Sequence, residues 1–220
     1  RKSIYPEYKA NRKDRYAEQT EEEKKEFEQF MGEFSNAFTQ LEKRGHLTIK
    51  QKGLEADDLA AWIVGNKDKF GIDEIWLISS DKDWDLLISD TVSRFSTVTR
   101  KETTVHNWDE HYSFDKEYFL TFKCLAGDTG DNIPGIAGVG PKRAAQLIEQ
   151  YGDLFDIYDA CPIDSKYKYI QSLNEGADRL LLNAELMDLE SYSEQAILEA
   201  GMNLEDLSSS LREYLNENRD

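Results

Sequence analysis

The sequence predicts an α/β fold in which a parallel sheet is flanked by helices and is followed by a helical C-terminal region. A nearly continuous apolar run at residues 74–79 is typical of a strand buried on both faces. Strand-like and helical segments alternate in the first half of the chain, as expected for βαβ units. From about residue 114 onward the pattern becomes helical, with a glycine-containing loop at residues 127–140.

The composition sets limits on the class of protein. The chain has 220 residues, of which 39% are hydrophobic and 11% aromatic, enough for a real core and not typical of global disorder. Its net charge of −17 argues against a passive basic coat for nucleic acid, but permits an enzyme that gathers carboxylates around metal. Two cysteines provide no disulfide scaffold, so we expect a reducing, cytoplasmic location. No apolar run approaches the roughly 20 residues of a membrane span.

The N-terminal region combines a basic segment with a long helical pattern. Residues 1–15 carry a net charge of +4, whereas the remainder carries −21. This asymmetry suggests a segment that touches a polyanion, and a solvated flexible tail is the alternative. Thr20 and Glu23 fit a capping box. Apolar residues at helical spacing over 27–41 then predict a helix that ends at Gly45 and turns its aromatic stripe to the core.

The central elements follow in order. Residues 47–50 predict a short strand, residues 57–66 a helix, and residues 74–79 the buried strand. The side chains expected to face inward from the helix are Leu59, Ala60, Ile63 and Val64. Residues 92–99 and 103–106 predict a hairpin or two edge strands.

Three acidic clusters stand where these elements end or begin. They consist of Glu55, Asp57 and Asp58; of Asp81 and Asp83; and of Asp128 and Asp131. The first two follow strands, and ligands of an open α/β sheet bind beyond the carboxyl ends of its strands. Neighbouring carboxylates repel one another unless a cation joins them, and oxygen ligands without a His or Cys cluster suit Mg²⁺ or Mn²⁺. Two such ions can clamp a phosphodiester. Helix capping or surface charge is the simpler explanation of any single pair, and it is the combination of three clusters at such positions that favours a metal site.

The glycine-rich stretch at residues 135–144 is the most informative segment. Its glycines permit close approach of the backbone, and Pro141 suits the first turn of a helix. That helix would direct free amides, Lys142 and Arg143 at an anion. A dinucleotide-binding loop is disfavoured because a helical pattern at residues 119–126 precedes the loop and no strand follows. A helix–loop–helix that grips DNA phosphates fits better, and a plain turn between packed helices is the alternative.

Four motifs in this order resemble those of the flap endonuclease and 5′-exonuclease family, and most closely its phage type. Residues 127–144, Gly-Asp-Thr-Gly-Asp-Asn-Ile-Pro-Gly-Ile-Ala-Gly-Val-Gly-Pro-Lys-Arg-Ala, are similar to its acidic pair and helix–three-turn–helix clamp. Residues 53–58 (Gly-Leu-Glu-Ala-Asp-Asp) and 78–85 (Ile-Ser-Ser-Asp-Lys-Asp-Trp-Asp) resemble its other acidic motifs. Residues 5–12 (Tyr-Pro-Glu-Tyr-Lys-Ala-Asn-Arg) resemble the segment that leads into its helical arch.

The resemblance implies a PIN-like 5′-nuclease core over residues 1–113, with the arch segment at about 1–45. It implies a helical region over 114–220 that packs on the core and carries the clamp at 127–150. The family begins with a strand bearing an early Asp, followed by a second Asp, and almost nothing precedes Tyr5 here. We therefore expect N-terminal strands to be missing from this sequence. A longer protein, a partner chain that supplies the rest, or a nuclease remnant would each account for this.

The resemblance also implies residue roles. The residues expected to hold one metal ion are Glu55, Asp57 and Asp81, with Asp81 near both ions. Those expected to hold the second are Asp83, Asp128 and Asp131. Asp58 would be a ligand, a neighbour of the ligands or a helix cap. The residues expected to contact DNA are Tyr8, Lys9, Arg12, Gly138, Gly140, Lys142 and Arg143. Lys9 would stabilise developing charge, Tyr8 would stack on a base, and the clamp would also bind K⁺ through carbonyls.

The expected function is that of a structure-selective 5′-nuclease, dependent on two Mg²⁺ or Mn²⁺ ions. Its expected partner is DNA with a 5′ flap, a 5′ end or a pseudo-Y junction, in the host cytoplasm if a phage encodes it. Two alternatives stay open. One is a catalytically impaired DNA-binding remnant, and the other is a PIN-like ribonuclease, a group whose small members usually lack the clamp.

Overall fold

The computed structural model describes residues 1–218. Its α-helices are α1 (Ala10–Ala17), α2 (Glu21–Lys43), α3 (Ala56–Gly65), α4 (Lys67–Phe70), α5 (Phe119–Ala126), α6 (Pro141–Tyr151), α7 (Leu154–Ala160), α8 (Lys168–Glu175), α9 (Ala177–Met187), α10 (Leu189–Glu199) and α11 (Leu204–Glu217). Its strands are β1 (Ile75–Ile78), β2 (Val92–Ser96), β3 (Lys101–Thr103), β4 (Gly127–Asp128) and β5 (Ile133–Pro134). Short 3₁₀ helices span Lys82–Leu87, Val105–Glu110 and Lys116–Tyr118.

The chain forms two compact units, each built from separated segments. Unit 1 comprises Arg1–Asn11 and Ile72–Tyr192, and unit 2 comprises Arg12–Gly71 with the chain from Ser193 onward. The domain boundary that the sequence suggests at residue 113 stays a prediction, and the last two residues of its second domain lie outside the described part. Within residues 1–218, no helix is long and apolar enough to cross a membrane.

Unit 1 contains a three-stranded sheet in the order β1-β2-β3. Strand β2 runs parallel to β1 and antiparallel to β3, with Ile75 opposite Val92 and Arg94 opposite Thr103. The α/β class is therefore confirmed, but the sheet is mixed, not wholly parallel. The predicted hairpin forms as β2 and β3, but its second strand is Lys101–Thr103, and the predicted strand residues from Val105 onward form a 3₁₀ helix. The connection from β1 to β2 is the 3₁₀ helix Lys82–Leu87, not the α-helix of a βαβ unit.

Strand β1 is buried on one face only, contrary to the sequence prediction. Leu77 is buried, whereas Trp76 and Ile78 on the opposite face are 44% and 59% exposed. Side chains alternate between the two faces of a strand, so both exposed residues point the same way. An apolar run shows a preference for burial, but the elements packed against the strand decide how many of its faces are covered.

The core of unit 1 is formed mainly by helices α5 to α9. Cys124 and Leu125 of α5 and Leu180 of α9 are fully buried there. Asn183 of α9, also fully buried, donates to the carbonyl oxygens of Cys124 (3.0 Å) and Pro134 (2.9 Å). This side chain ties the end of α5 to β5, and so steadies the loop between them.

Helix α2 begins as predicted but does not pack as predicted. The Thr20 hydroxyl accepts from the Glu23 backbone N–H, and the Glu23 carboxylate accepts from Thr20, which completes the capping box. The prediction of a core-facing stripe is wrong, because no residue of α2 is buried. Its aromatic rings contact one another instead, with centroids 6.4 Å apart for Phe30 and Phe34 and 5.9 Å for Phe34 and Phe38.

The core of unit 2 lies around α3, α4 and α11. Trp62 of α3 is buried against Phe70 of α4, with ring centroids 5.7 Å apart. Trp62 and Ala61 are buried, whereas three predicted inward residues, Leu59, Ile63 and Val64, are only half-buried. Residues 47–50 form no strand; nearby, Gln51 donates from its side chain to the Ala200 carbonyl oxygen (2.7 Å).

Candidate active site

A tight turn after β1 carries Asp81 and Asp83. The Asp81 backbone N–H donates to Oγ of Ser79 (3.1 Å), and the Asp81 carboxylate accepts from the Asp83 backbone N–H (3.0 Å). Asp81 thereby caps the following 3₁₀ helix, a position that favours a short side-chain acceptor. Both carboxylates lie beyond the carboxyl end of a strand, with Asp81 exposed and Asp83 half-buried.

A second acidic turn, between α5 and β5, carries Asp128 and Asp131. Helix α5 stops at Gly127, whose φ of +74° is a conformation that side chains with a Cβ rarely adopt. A Cβ at this position would overlap the backbone nitrogen of Gly135. The Asp131 backbone N–H donates to Oδ1 of Asp128 (3.1 Å). The glycine and this hydrogen bond together fix where the Asp128 carboxylate lies.

Lys123 joins the two acidic turns. From α5 its Nζ donates to Oδ1 of Asp83 in a very short contact and to Oδ2 of Asp128 at 3.1 Å. The Lys123 side chain is only 9% exposed, against 25% for Asp83 and 22% for Asp128. Sequence reasoning missed this residue. The available signal was a lone lysine within the apolar helix Phe119–Ala126, where a charge needs buried partners.

The shared ammonium group explains the titration of the three side chains. Burial raises the pKa of Asp83 to about 6, although the Lys123 charge opposes the rise. Burial acts likewise on Asp128, but Lys123 and backbone N–H groups outweigh it and lower the pKa of that carboxyl. Burial would lower the pKa of Lys123, yet its attraction to the two carboxylates raises it. One ammonium group thus neutralises only part of the charge of two carboxylates, so a further cation would be stabilised between Asp83 and Asp128.

A buried ion pair between Arg94 and Asp85 fixes the backbone on both sides of the first acidic turn. Asp85 is fully buried and pairs with the Arg94 guanidinium, while Tyr112 Oη donates to Asp85 Oδ2 (2.6 Å). Arg94 also donates to the Ser79 carbonyl oxygen (3.1 Å), where β1 ends. Burial, together with the hydrogen bond to Asp85, raises the pKa of Tyr112. Sequence reasoning missed this network, which fixes both ends of the segment that carries Asp81 and Asp83.

The N-terminal segment packs on the second acidic turn. Tyr8 Oη donates to Oδ2 of Asp131 (3.0 Å), and Lys9 Nζ lies 3.5 Å from the same oxygen. The Lys9 backbone, at a φ of +56°, donates to the Asp131 carbonyl oxygen (2.9 Å). Lys9 is therefore beside the carboxylates. Tyr8 is only 4% exposed, so its ring is a core side chain here and offers no free face to a base.

The remaining predicted acids belong to unit 2. Glu55 is the N-cap residue of α3, and Asp57 and Asp58 lie in its first turn, where the helix dipole favours negative charge. Asp58 is 2% exposed, and Arg12 is exposed in α1. Over residues 1–218 the structure forms no group of three His, Cys, Asp or Glu side chains that could hold a metal ion. That this set shares metal ions with the carboxylates of unit 1 stays a prediction.

The glycine-rich loop has the local geometry that the sequence predicts. Gly138 has a φ of +79°, Gly140 is the N-cap residue of α6, and Pro141 occupies the first turn. Lys142 is exposed in that turn. Arg143 donates to the Gly138 carbonyl oxygen (2.6 Å), so one of its nitrogens holds the loop closed.

These features define a class of protein. Two carboxylates held around the Lys123 ammonium group on an α/β unit, and a glycine loop that opens a helix with an exposed basic first turn, are features expected of a phosphodiester-cleaving nuclease. Two family models match the chain. The 5′-3′ exonuclease N-terminal resolvase-like domain matches residues 1–117, and the 5′-3′ exonuclease C-terminal SAM fold matches residues 114–216.

Individual relatives agree with the family models. The flap endonuclease of Escherichia phage T5 is 44% identical over 202 residues, which cover 91% of this chain and 69% of that protein. DNA polymerase I of Rhizobium leguminosarum is 32% identical over 64% of this chain, but over only 14% of the polymerase. The solved structure of T5 5′-exonuclease with bound divalent metal ions (zinc) matches with a TM-score of 0.87 at 42% identity, covering 98% of this chain and 78% of that one.

The chain belongs to the 5′-3′ exonuclease family, and its function is that of a nuclease of the flap endonuclease and 5′-3′ exonuclease type. The resemblance that the four sequence motifs carry, to the phage type of 5′-nuclease, is confirmed.

Proposed function

We propose that this chain is a structure-selective 5′-nuclease that acts on DNA with 5′ flaps, 5′ ends or pseudo-Y junctions. The observation that carries the proposal is the convergence of Asp83 and Asp128, from two separate turns, on the Lys123 ammonium group. A relative supports the choice of DNA, since the T5 flap endonuclease has been solved in a pseudo-enzyme-product complex with DNA and metal ions. That structure matches with a TM-score of 0.87 at 41% identity over 98% of this chain and 78% of that one.

The donor chemistry of the acidic turns fits divalent metal. Carboxylate oxygens are the ligands that Mg²⁺ and Mn²⁺ prefer, and two of them already lie around one cation. The residues proposed to hold one ion are Glu55, Asp57 and Asp81, with Asp58 beside them. Those proposed to hold the second are Asp83, Asp128 and Asp131. When bound, the ions would lower the pKa of the attacking water and stabilise charge on the leaving oxygen.

The protein's own residues position the substrate for this reaction. Lys9 brings a positive charge beside the acidic turn, where it would offset charge that develops on the phosphate. Arg12, on the same N-terminal segment, would contact the approaching strand. Water would add to phosphorus as the bond to the 3′ oxygen breaks, which leaves a 3′-hydroxyl and a 5′-phosphate.

The glycine loop would hold the duplex by its backbone. The backbone N–H groups at the start of α6, where Gly140 is the N-cap residue, and the Lys142 and Arg143 side chains suit phosphate, and Gly138 lets the loop backbone approach it closely; phosphate carries no sequence information. Carbonyl oxygens of the same loop would bind K⁺ between protein and phosphate. Specificity would then follow the shape of the DNA, and the protein would act in the cytoplasm, that of the host if a phage encodes it.

Cleavage of a labelled 5′-flap DNA tests the proposal. The wild-type chain should cut in Mg²⁺ or Mn²⁺ and bind without cutting in Ca²⁺ or EDTA. Asp128→Asn should lower the cutting rate by about 100-fold or more, because several kcal/mol of metal-dependent stabilisation are lost. Binding of the same DNA in Ca²⁺ should not weaken, which separates a lost ligand from a lost fold.

Asp90→Asn is the matched control, because Asp90 is exposed in unit 1 and lies outside both acidic turns. It should cut at the wild-type rate. Wild-type binding without any cutting in Mg²⁺ would leave only the DNA-binding remnant. Cutting of single-stranded RNA in preference to the flap would favour the ribonuclease instead.

A further inference from the structure

A basic and aromatic surface lies next to the glycine loop. Residues 166–169 alternate lysine and tyrosine, with Lys166, Tyr167 and Lys168 exposed. Tyr167 and Tyr169 border an open cavity of about 530 Å³. The residues that line this cavity are Arg143, Gln146, Glu149, Gln150, Tyr167 and Tyr169.

Tyr167 offers a supported aromatic face. Its side chain is 58% exposed, and its ring stacks beside that of Tyr169, with centroids 5.9 Å apart and planes inclined by 26°. The Arg143 guanidinium lies over the Tyr169 ring, 4.6 Å from the centroid. An exposed tyrosine ring that other side chains hold in place is a surface on which a nucleobase can stack.

The backbone around this ring is fixed before any ligand binds. The Tyr167 N–H donates to Oγ of Ser165 (3.2 Å), and its carbonyl oxygen accepts from the N–H of Ile170 (3.0 Å) at the start of α8. Arg143 connects the ring pair to the glycine loop through the Gly138 carbonyl oxygen. Little conformational freedom would be lost when a base stacks here, which favours affinity.

The lining of the cavity suits a base better than a phosphate. Its Glu149 carboxylate offsets the charge of the Arg143 guanidinium, which already contacts the Gly138 carbonyl oxygen and the Tyr169 ring, and the Gln146 and Gln150 amides offer donors and acceptors to a base edge. Lys166 and Lys168 flank Tyr167 in the sequence and are exposed, so they are available to pair with phosphates of a strand whose base stacks on that ring.

We propose that the Tyr167 face binds an unpaired nucleobase of a DNA strand whose paired part is held by the glycine loop. This inference rests on the proposed function for its substrate, DNA. It adds a subsite for single-stranded DNA, distinct from the acidic turns and from the backbone grip of the duplex.

Binding of two labelled DNA hairpins in Ca²⁺, measured by fluorescence anisotropy, tests the inference. One hairpin is blunt, and the other carries a single-stranded extension. Tyr167→Ala should weaken binding of the extended hairpin about 5- to 150-fold and leave the blunt hairpin unchanged. Tyr167→Phe keeps the ring and should bind both like wild type. Phe155→Ala removes another exposed aromatic ring of unit 1, 64% exposed, and should change neither.

An extension built of abasic nucleotides completes the test. Wild type should bind the hairpin with the abasic extension as weakly as Tyr167→Ala binds the hairpin with the normal extension. Tyr167→Ala should bind the two extended hairpins with equal affinity. Equal binding of the extended hairpin by wild type and Tyr167→Ala, or an equal loss on both hairpins, would overturn the inference. Flap cutting by the wild-type chain reports on the proposed function separately, since the base-stacking effect is measured without cleavage.

Discussion

Two buried basic side chains organise the acidic turns of this nuclease. Lys123 holds Asp83 and Asp128 together, and Arg94 pairs with Asp85 beneath the first turn. A buried charge costs several kcal/mol unless it is paired, so neither side chain tolerates the loss of its partners. The carboxylates thus owe their positions to basic residues that are not among those expected to contact DNA.

Lys123→Met tests this role at the residue scale. Methionine keeps the apolar stem but leaves Asp83 and Asp128 without their shared cation, so the free energy of unfolding in EDTA should fall by about 1–3 kcal/mol. Mg²⁺ should then raise the melting temperature of the variant more than that of wild type, because it offsets the carboxylate repulsion. Urea unfolding and thermal melts measure both effects.

Lys116→Met is the matched control for this experiment. The Lys116 ammonium donates to the Leu86 carbonyl oxygen (2.7 Å), and burial lowers its pKa. This variant should lose stability but respond to Mg²⁺ like wild type. A wild-type Mg²⁺ response in Lys123→Met would contradict the role assigned to Lys123.

At the scale of elements, the glycines differ in what they do. Gly127 has a positive φ and no room for a Cβ, whereas Gly140 has a φ of −94° and no atom within 4 Å of an added Cβ. Gly127→Ala should therefore lower the free energy of unfolding by about 3 kcal/mol or more. Gly140→Ala should cost about 1 kcal/mol at most, the difference expected at an N-cap. Chemical denaturation of the two variants measures the contrast.

The proposed clamp adds an expectation for DNA binding by the same variants. Gly140→Ala should stay folded yet bind duplex DNA more weakly, because its methyl group would stand between the loop backbone and a phosphate. Equal stability losses in the two variants would show that the acidic turn does not depend on the conformation of Gly127.

Elements with local signals were predicted well, and elements that depend on distant partners were not. The capping box of α2, the hairpin and the start of α6 at Pro141 are determined by residues that are neighbours in sequence. The strand at residues 47–50 needed a pairing partner, and the burial of β1 needed covering elements. The stripe of α2 shows the same limit, since helical spacing identifies an apolar face but not what covers it.

For the whole molecule, the difference between local signals and distant contacts also explains which site residues the sequence predicts and which it misses. Acidic motifs, glycines and exposed cations are recognisable by residue type and spacing. Lys123 and Arg94 act through contacts with residues of other segments, such as Asp83 for Lys123 and Asp85 for Arg94. Tyr167 is a candidate because its ring is exposed, which only the fold determines. The sequence thus revealed which groups are available for chemistry, and the structure showed which side chains hold them.

The distribution of charge leads to the last prediction. The chain carries −17 overall, yet residues 1–15 carry +4, and Lys142 is exposed at the glycine loop. If binding to duplex DNA depends on such local cations, log affinity should fall linearly with log salt, with a slope set by the few phosphates contacted and not by net charge. Lys142→Ala should reduce the magnitude of that slope by about one and weaken binding equally for unrelated sequences.

Lys69→Ala separates this local effect from a change in total charge. Lys69 is exposed in α4 of unit 2, where its ammonium donates to the Asn66 side chain (2.7 Å), and its removal changes the net charge by the same amount. Its salt slope should match that of wild type. Should both variants shift the slope alike, the overall field of the acidic molecule would govern binding, and the phosphate grip would not reside in the glycine loop.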